Sequence, residues 1–399
     1  MKQFILILSL TPLLFFASCG GSGSQKTQKE SDTACVEKKT EFISNPSGFE
    51  IHRGINISHW ISQTGDWVDR ETFFTEEDVK NIKSYGFDHI RLPVDEEVIF
   101  TEDGEPIDSA FDAFNDAIGW CLKHDMRVVF DLHILRSHHF NARNDEGEMT
   151  LWTSTQAQED FLTLWDTLSA HLQHYPKDMV AYEFMNEPVA PDPEMWNDLV
   201  KKVFKRIRAL EPERVLMLGS NRWQQPHTFP DLYIPKNDPN IILTVHTYHP
   251  YFITHYQAHW SPAQYYNGPV NYPGVIIDEE SYEKHVDTTN EALVYRIEEE
   301  RAQEHFDIDK LREIMKPAVD KAAEYGLQLY CNEFGALPTT PREVRLKYYE
   351  DITTVFKENN IVFAAWDYKG NFGIVGWDSE KNKNTFVDKE LINILTSKK

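Results

Sequence analysis

Two glutamates close apolar, strand-like stretches of the chain and are the residues best suited to acid and nucleophilic chemistry. Glu187 ends the stretch VAYEFMNE, and Glu333 ends the stretch LQLYCNE. Each carboxyl group should emerge from a partly desolvated wall, where its neighbours set its protonation state. Either residue alone is better explained as a salt-bridged carboxylate at a strand end. As a facing pair, one would donate a proton while the other attacks as a nucleophile.

Polar and aromatic side chains follow most of the other apolar stretches as well. They are Asn56 to Trp60, Arg91, His133, Asn186, Ser220, Asn221, His246, Tyr248 and Trp366. A barrel or sheet without a site would not need such residues at nearly every strand end, so packing alone does not explain the set. For single members a structural role is the alternative, because a histidine can cap a loop and a tryptophan can fill a core.

The stretches that carry these residues alternate with helical patterns. Strand-like stretches cover 51–57, 89–94, 127–133, 180–186, 215–220, 241–248, 327–334 and 361–368. Helices are predicted over 76–85, 109–124, 154–174, 193–210, 309–325, 341–358 and 388–396. Continuous apolar strands are typical of parallel sheets buried on both faces. The alternation predicts an α/β fold, a (β/α)8 TIM barrel. An open doubly wound sheet is the alternative, but no glycine-rich turn follows the first strand.

In such a barrel the fourth and seventh strands end at the same mouth, so Glu187 and Glu333 would face each other across it. A separation of about 5–5.5 Å between the two carboxyl groups would suit glycoside hydrolysis with retention of configuration. A wider gap, with room for a water molecule, would suit inversion.

With these residues in this order, the chain resembles glycoside hydrolase family 5, the cellulase family of clan A, from about residue 48 to residue 396. Asn186-Glu187-Pro188 and Glu333-Phe334-Gly335 match the family's acid/base and nucleophile motifs. The family's remaining active-site positions are matched by Arg91, His133, His246, Tyr248 and Trp366. Each motif is weak by itself, but the whole set in the right order on the right strands is specific.

The resemblance implies Glu187 as the acid/base and Glu333 as the nucleophile of a double displacement. Charge from Arg91 and a hydrogen bond from Tyr248 would stabilise the Glu333 anion. That anion would in turn raise the pKa of Glu187 and keep it protonated. Asn186 would hydrogen-bond the 2-hydroxyl of the sugar.

Substrate is expected to be bound by Arg91, Asn186 and Tyr248 together with four further side chains. His133 and His246 would line the subsite at the cleaved bond, and Trp366 would offer a flat apolar face to a pyranose ring. Trp60, which follows the first strand, would also contact substrate. Core histidines satisfied by the backbone, and a core tryptophan, are the structural alternatives.

The implied activity is retaining hydrolysis of a β-linked polysaccharide, with an endo-β-1,4-glucanase as the first choice. The alternatives within the family are a β-mannanase, a xyloglucanase, a mixed-linkage or β-1,3-glucanase and an exo-β-glucanase. A non-catalytic, glycan-binding surface lipoprotein is a rival, but it would predict the loss of Glu187 or Glu333. A metal-dependent barrel hydrolase is a second rival. His138 and His139 lack a carboxylate or third histidine at ligand spacing, so neither a metal nor another cofactor is expected.

Composition and charge narrow the class of partner. The 399 residues are 41% hydrophobic and 26% charged, with a formal net charge of −24. This balance is typical of a soluble domain with a buried core. The acidic charge argues against nucleic acid and against anionic polysaccharides, but it does not affect neutral ones. We therefore expect a monomer that binds a neutral β-glucan.

The N-terminus has the pattern of an export signal, residues 1–18, with Lys2 before an apolar run over 4–17. The sequence FASC at 16–19 resembles the bacterial lipoprotein cleavage box, although that box usually has Leu where Phe16 stands. A plain secretory cleavage site is the alternative. Residues 19–47 would be a lipidated Cys19 and a flexible linker, which leaves 48–399 for the catalytic domain. Gly20, in place of an Asp that would retain the chain at the inner membrane, favours the outer membrane, facing the periplasm or the cell surface.

The connection after the sixth strand is long. About 60 residues separate Tyr248 from the next predicted helix, more than ordinary connections have. Its aromatic residues are Tyr251, Phe252, Tyr256, Trp260, Tyr265, Tyr266 and Tyr272. We expect a wall beside a substrate cleft, and a satellite core under the loop is equally compatible. Residues 298–301 are expected to form a solvated helix face, and Cys121 and Cys331 to be buried apolar groups.

Overall fold

The computed structural model describes residues 45–65, 67–140 and 148–397. The predicted signal peptide, Cys19 and the linker up to residue 44 lie outside these residues. Within the described part of the chain, no helix has both the length and the apolar character needed to cross a membrane. Nearly all of the described residues belong to the predicted catalytic domain, 48–399.

Eight parallel strands close into a barrel. They are β1 (Arg53–Asn56), β2 (His89–Asp95), β3 (Arg127–Ile134), β4 (Val180–Glu183), β5 (Leu216–Gly219), β6 (Ile241–Thr247), β7 (Gln328–Phe334) and β8 (Val362–Ala365). Each strand pairs with its neighbour in chain order, and β8 closes the barrel by pairing Ala364 with Gly54 of β1. The predicted (β/α)8 barrel is therefore confirmed, and each of its strands lies within a predicted stretch or extends one residue beyond it.

Helices connect the strands. They are α1 (Arg70–Phe73), α2 (Glu76–Tyr85), α3 (Glu96–Ile99), α4 (Asp108–Lys123), α5 (Thr155–Leu172), α6 (Pro193–Leu210), α7 (Tyr251–Thr254), α8 (Glu279–His285), α9 (Glu291–Glu299), α10 (Ile308–Tyr325), α11 (Arg342–Glu358) and α12 (Lys389–Thr396). Short 3-10 segments cover Pro226–Asp231 and Pro262–Tyr265. Two antiparallel pairs join Gly274–Val275 to His305–Phe306 and Val375–Asp378 to Lys383–Val387. All predicted helices are present.

Local sequence signals set the ends of these helices. At the start of α2, the Thr75 backbone amide donates to Asp78 Oδ2 at 3.0 Å, which completes a capping box. The same helix stops at Gly86, whose φ of 100° is readily adopted only by glycine. The signal of a Thr followed three residues later by an acid is therefore sufficient to place this helix from the sequence.

The barrel strands are buried on both faces, which explains why their sequences are apolar without alternation. Alternate residues such as Val129, Ala181 and Met217 share one cluster inside the barrel. Their neighbours, such as Val128 and Tyr182, belong to the larger cluster that includes the surrounding helices. Cys121 and Cys331 are buried free thiols, as predicted. Apolar packing thus fixes the strands and leaves their polar ends for the mouth of the barrel.

The connection between β6 and α10 is more regular than predicted, because it contains α7, α8 and α9. One of its aromatic residues, Tyr265, is exposed, and the others divide into two groups. Phe252, Tyr256, Tyr266 and Tyr272 are buried under the loop, but they belong to the main core rather than to a separate satellite core. Tyr251 and Trp260 instead face the barrel mouth, as the other expectation described.

Candidate active site

The structure brings Glu187 and Glu333 together at the barrel mouth. Glu333 lies near the end of β7, and Glu187 lies in the loop that follows β4. One oxygen of each carboxyl group and one ring nitrogen of His246 all lie within 4.8 Å of one another. Both glutamates are buried apart from a small exposed fraction of 8% and 5%. The two groups are close enough to interact strongly and still open to a ligand.

Glu187 occupies a strained backbone position. Its φ is 44°, in the left-handed region that costs a residue with a side chain about 1–2 kcal/mol. Such strain persists only where the surrounding structure holds it, and it is concentrated at functional sites. His246 Nδ1 lies 2.8 Å from Glu187 Oε1 and fixes the direction of the carboxyl group.

Burial and the neighbouring Glu333 carboxylate raise the pKa of Glu187 well above its usual value. His246 does not oppose this, because burial and the Arg91 charge hold the pKa of that imidazole far below its usual value. A neutral His246 adds no positive charge that would favour the Glu187 anion. The arrangement therefore keeps a proton on Glu187.

Glu333 has the opposite surroundings. Arg91 Nη1 donates to Glu333 Oε1 at 2.7 Å, and the Tyr248 hydroxyl donates to Oε2 at 3.0 Å. Burial is the larger effect and leaves the pKa of Glu333 above its usual value, although the Arg91 cation opposes this rise. Burial also raises the pKa of Tyr248 well above its usual value, so its hydroxyl remains a donor. Because Arg91 and Tyr248 donate to Glu333 while the pKa of Glu187 is raised further by its neighbour, Glu333 is the glutamate that ionises first.

Arg91 lies behind this pair rather than against a ligand. Its guanidinium is fully buried and donates twice to Glu183, at 2.7 and 3.0 Å. It also lies 2.9 Å from Asp131 Oδ2 and donates to Asn186 Oδ1 at 2.8 Å. Arg91 is outside the lining of the cleft, so the prediction that it contacts substrate is wrong. It acts instead through Glu333.

Asn186 is held by Arg91 through its oxygen, which leaves its amide group for another partner. Asn186 Nδ2 is buried and has no hydrogen-bond partner among the described residues. An unpaired buried donor is costly unless a ligand or water satisfies it. The predicted contact between Asn186 and a substrate hydroxyl is compatible with this free donor.

His133 and Trp366 form one wall of the mouth. Their rings are stacked with centroids 5.7 Å apart and planes 9° from parallel. His133 Nδ1 lies 2.7 Å from Asp131 Oδ2. Burial lowers the pKa of His133 to about 3, so this imidazole is neutral. Both side chains line the cleft that contains the glutamate pair, as expected for substrate-binding residues.

A cleft of about 1470 Å³ crosses the mouth and contains Glu187 and Glu333. On the side of β1 and β2 its walls include His59, Gln63, Asp95 and Glu97. On the side of the β5 and β6 loops they include Arg222, Trp223, His227, Asp231, Trp260, Arg296, Glu299 and Glu300. The glutamate pair thus lies within a trough that continues in both directions.

The sequence model of the cellulase family, glycosyl hydrolase family 5, matches residues 39–372. The chain belongs to this family. It is therefore a glycoside hydrolase, and its closed barrel with a glutamate on the loop after β4 and a second on β7 agrees with that membership. The family resemblance that the sequence motifs suggested is confirmed.

Two relatives and one solved structure are similar to this chain over most of its length. Endoglucanase C of Acetivibrio thermocellus is 32% identical over 352 residues, which cover 87% of this chain and 98% of that protein. Cellodextrinase A of Ruminococcus flavefaciens is 29% identical and covers 78% of this chain and 83% of that protein. Among solved structures, an endoglucanase of Thermotoga maritima shares the fold with a TM-score of 0.66 at 22% identity, over 88% of this chain and 98% of that chain.

Within this family site, Trp60 is not where the sequence suggested. Its side chain is 1% exposed, its ring lies 5.2 Å from that of Phe74, and its Nε1 donates to the Arg70 carbonyl at 2.9 Å. Trp60 is therefore a core residue outside the cleft lining, and the prediction that it binds substrate is wrong. The preceding residue, His59, lines the cleft instead.

Two sets of site residues were missed. Glu183 and Asp131 are buried within β4 and β3, and they hold Arg91. A charged residue inside an apolar strand is the signal that would have found them, because such a residue needs a buried partner. Glu300 was assigned to a solvated helix face, but it lines the cleft and pairs with Arg296 at 2.9 Å. The helical periodicity of the sequence could not show that Glu300 lies in a cleft wall rather than on a solvated surface.

The trio of Glu187, His246 and Glu333 is also compact enough to hold a metal ion. A cation there would compete with the proton that burial favours on Glu187 and with the Arg91 charge beside Glu333. The prediction that the reaction needs no metal or cofactor stays a prediction, which chelation with EDTA tests directly.

Proposed function

We propose that this protein is a retaining endo-β-1,4-glucanase with Glu187 as the acid/base and Glu333 as the nucleophile. The observation that carries the proposal is the approach of one oxygen of each carboxyl group to within 4.8 Å of the other. Retaining enzymes hold their two carboxyl groups about 5–5.5 Å apart, whereas inverting enzymes need roughly 6.5–9.5 Å for a water molecule. The opposite surroundings of the two groups support the division of roles.

In the first step, a carboxylate oxygen of Glu333 forms a bond to the anomeric carbon as the glycosidic bond breaks. The proton on Glu187 passes to the departing oxygen, which leaves as a hydroxyl group. In the second step, Glu187, now an anion, takes a proton from a water molecule whose oxygen bonds to the anomeric carbon. The ester to Glu333 breaks, and both glutamates return to their starting states.

Neighbouring groups assist both steps. Arg91 and Tyr248 stabilise Glu333 as the attacking and as the departing carboxylate, by charge and hydrogen bonding. The free Nδ2 of Asn186 donates to the sugar 2-hydroxyl, a contact that strengthens in the transition state. Trp366 supports an apolar face of a pyranose ring.

The cleft supports internal cleavage of a chain. Its walls continue on both sides of the glutamate pair, from the β1 and β2 side to the β5 and β6 side. A polymer can therefore lie across the pair with sugars on either side. The name of a relative that this chain matches over most of its length, endoglucanase, agrees with that mode of action.

The test is product analysis over time on barley β-glucan, carboxymethylcellulose, xyloglucan, laminarin and galactomannan, with the protein that lacks residues 1–45. Mixed oligosaccharides at early times from the β-1,4-linked glucans are the expected result. A single mono- or disaccharide released from chain ends would replace the endo mode with an exo mode. Hydrolysis of galactomannan alone would identify a mannanase, and the absence of products from every polymer would overturn the proposal.

We propose in addition that the enzyme is exported and anchored to the outer membrane through lipid on Cys19. The support is the sequence pattern of residues 1–47 and the Gly at position 20. A Cys19→Ala variant expressed in a Gram-negative host tests it by fractionation. The wild-type chain should sediment with outer membranes and the variant should not. If neither the wild-type chain nor the Cys19→Ala variant sediments with the membranes, plain secretion would be favoured.

A further inference from the structure

The backbone at Glu187 is strained in two ways. Its φ of 44° lies in the left-handed region, which a residue with a side chain avoids. It also precedes Pro188, and the ring of a proline favours an extended backbone in the residue before it. Rotation of this backbone towards a relaxed conformation would redirect the carboxyl group of Glu187. The position of the acid therefore depends on contacts that hold the peptide groups on either side of it.

Two hydrogen bonds hold the chain just after the Glu187 side chain. The Pro188 carbonyl accepts from the Trp223 amide at 3.3 Å. The carbonyl of Glu187 itself lies 3.3 Å from Nε2 of His138. This second bond fixes the orientation of the peptide group that joins Glu187 to Pro188.

His138 belongs to a tight turn after β3. Its amide donates to the Leu135 carbonyl at 3.1 Å, and its carbonyl accepts from the Leu135 amide at 2.9 Å. Within the turn, the Arg136 amide donates to Glu96 Oε2 at 2.9 Å, which ties it to α3. The His138 side chain is 1% exposed and is not part of the cleft lining. It can therefore act on the reaction through Glu187, but not by contact with substrate.

The surroundings of His138 make its Nε2 a donor. Burial lowers the pKa of this imidazole to about 4, so at neutral pH only one ring nitrogen carries a proton. A carbonyl oxygen only accepts, so that proton lies on Nε2 and faces Glu187. His138 Nδ1 is buried without a hydrogen-bond partner among the described residues, and so is the donor Nε1 of Trp152. The two rings are in contact, with centroids 5.1 Å apart, so the neighbour of Nδ1 carries a donor and suits a lone pair there.

We propose that His138 is a positioning residue for the acid/base, and that its hydrogen bond to the Glu187 carbonyl holds the strained backbone that aims the carboxyl group at the cleaved bond. The inference rests on the proposed function, in which Glu187 donates the proton. The net contribution of one hydrogen bond is comparable with the cost of one left-handed residue, so its loss is enough to let Glu187 relax. Relaxation takes the carboxyl group out of the position in which burial and Glu333 act on it.

Two substrates separate a loss of acid catalysis from a general loss of activity. Cleavage of barley β-glucan requires a proton on the departing oxygen, whereas dinitrophenyl β-cellobioside releases a phenolate that is stable without one. His138→Leu removes the donor and keeps a side chain of similar volume. Its kcat/KM should fall about tenfold for the glucan but less than about twofold for the aryl glycoside.

The pH profile of the same variant gives an independent readout. A relaxed Glu187 loses part of the burial and of the interaction with Glu333 that raise its pKa. The alkaline limb of kcat/KM for β-glucan should therefore move to lower pH in His138→Leu. A histidine that only fills space would leave this limb in place.

His138→Gln is the conservative variant. The amide nitrogen of glutamine is as many bonds from Cα as Nε2 of histidine, so it can donate to the Glu187 carbonyl. It should restore most of the glucan activity and the alkaline limb. His171→Leu is the matched control, because His171 on α5 bonds Asn115 Oδ1 at 2.9 Å through Nε2 and lies outside the cleft lining. It should leave kcat/KM for both substrates unchanged, whatever its effect on melting temperature.

Several results would overturn the positioning role. Equal losses on both substrates in His138→Leu, with a lower melting temperature and no recovery in His138→Gln, would make His138 a structural residue. Unchanged kcat/KM for β-glucan in a folded His138→Leu would show that Glu187 keeps its place without the bond, while wild-type activity would leave the proposed function intact. A wild-type enzyme without activity on any glucan would instead overturn the proposed function.

His138→Asn takes the place of His138→Leu if the leucine variant does not fold. Its amide is one bond shorter than that of glutamine and falls short of the Glu187 carbonyl, so the same selective loss on β-glucan is expected. Failure of both variants to fold would make His138 a structural residue and would overturn the proposal as well.

Discussion

Two arginines serve the cleft from different regions of the molecule. Arg91, on β2, is fully buried among three carboxylates, those of Asp131, Glu183 and Glu333. Arg296, on α9, has a side chain about 30% exposed. It pairs with Glu299 and Glu300, and its guanidinium lies 5.1 Å from the centre of the Tyr251 ring. One arginine belongs to the barrel interior and the other to the rim of the cleft.

The difference in burial assigns the two clusters different tasks. Arg91 is fully buried, so solvent screens its ion pairs little, and its charge acts on both the stability of its carboxylates and the protonation of the glutamate pair. At the rim, solvent reaches Arg296 and Glu299, whose side chains are 30% and 42% exposed, and weakens that ion pair to at most about 1 kcal/mol. We therefore expect the buried cluster to control chemistry and folding, and the rim cluster to adjust binding of the chain.

The largest difference between the two clusters should appear in kcat when one glutamate of each cluster is replaced. Glu333→Gln removes the nucleophile, and kcat on β-glucan should fall by roughly 10,000-fold or more. Glu300→Gln, the matched change at the rim, should alter kcat less than about fivefold. Circular dichroism and melting curves establish that both variants fold. Similar losses for the two variants would remove the functional distinction between the clusters.

Arg91→Met tests the buried cluster through stability. It leaves three carboxylates without their cation, so the free energy of unfolding should drop by about 3–5 kcal/mol. Urea unfolding of the domain at neutral pH measures the change. A loss below about 1 kcal/mol would mean that these carboxyl groups are neutral in the folded protein and that Arg91 does not hold Glu333 as an anion.

The pH profile should also separate the two clusters. The acid Glu187 must carry its proton, and burial and Glu333 raise its pKa well above the usual value of 4.5. Activity is therefore retained well above pH 4.5 and is lost on the alkaline side, as pH rises through the raised pKa. On the acid side, activity is lost as Glu333 becomes protonated.

Measurement of kcat/KM against pH for the wild type and Glu300→Gln checks this assignment. The alkaline limb should stay in place in the rim variant, because burial, Glu333 and Arg91 have the largest effects on the pKa of Glu187. A displaced limb would show that the rim charge reaches the acid and that the two clusters are coupled.

The sequence was sufficient for most of the barrel because its strands and helices carry strong local signals. Continuous apolar strands, a capping box before α2 and polar residues at strand ends place the architecture and the glutamate pair without long-range information. Glu187 and Glu333 were found because each stands at the end of an apolar stretch. The distance between their carboxyl groups, in contrast, depends on how the barrel closes, which no local sequence pattern determines.

The failures came from residues whose role depends on tertiary contacts. Trp60 follows a strand, as a cleft residue should, but the chain turns so that its ring packs on Phe74 while His59 faces the cleft. Glu300 has the sequence context of a solvated helix end, yet the β6 connection folds back and places it in the cleft wall. Local periodicity cannot tell a cleft wall from a solvated surface, since both are rich in polar side chains.

The smallest predicted effect belongs to Arg296→Met, the counterpart of Arg91→Met. The free energy of unfolding should change by less than about 1 kcal/mol, because the pairs with Glu299 and Glu300 are partly solvated. Arg296 lowers the pKa of Glu300, which burial raises, so its loss makes Glu300 easier to protonate. The cleft wall then loses the positive charge of Arg296 and part of the negative charge of Glu300. KM for β-glucan should therefore change about two- to fivefold, with little change in kcat. A change confined to kcat would place Arg296 among the groups that act on the reaction, and the division between a buried chemical cluster and a binding rim would fail.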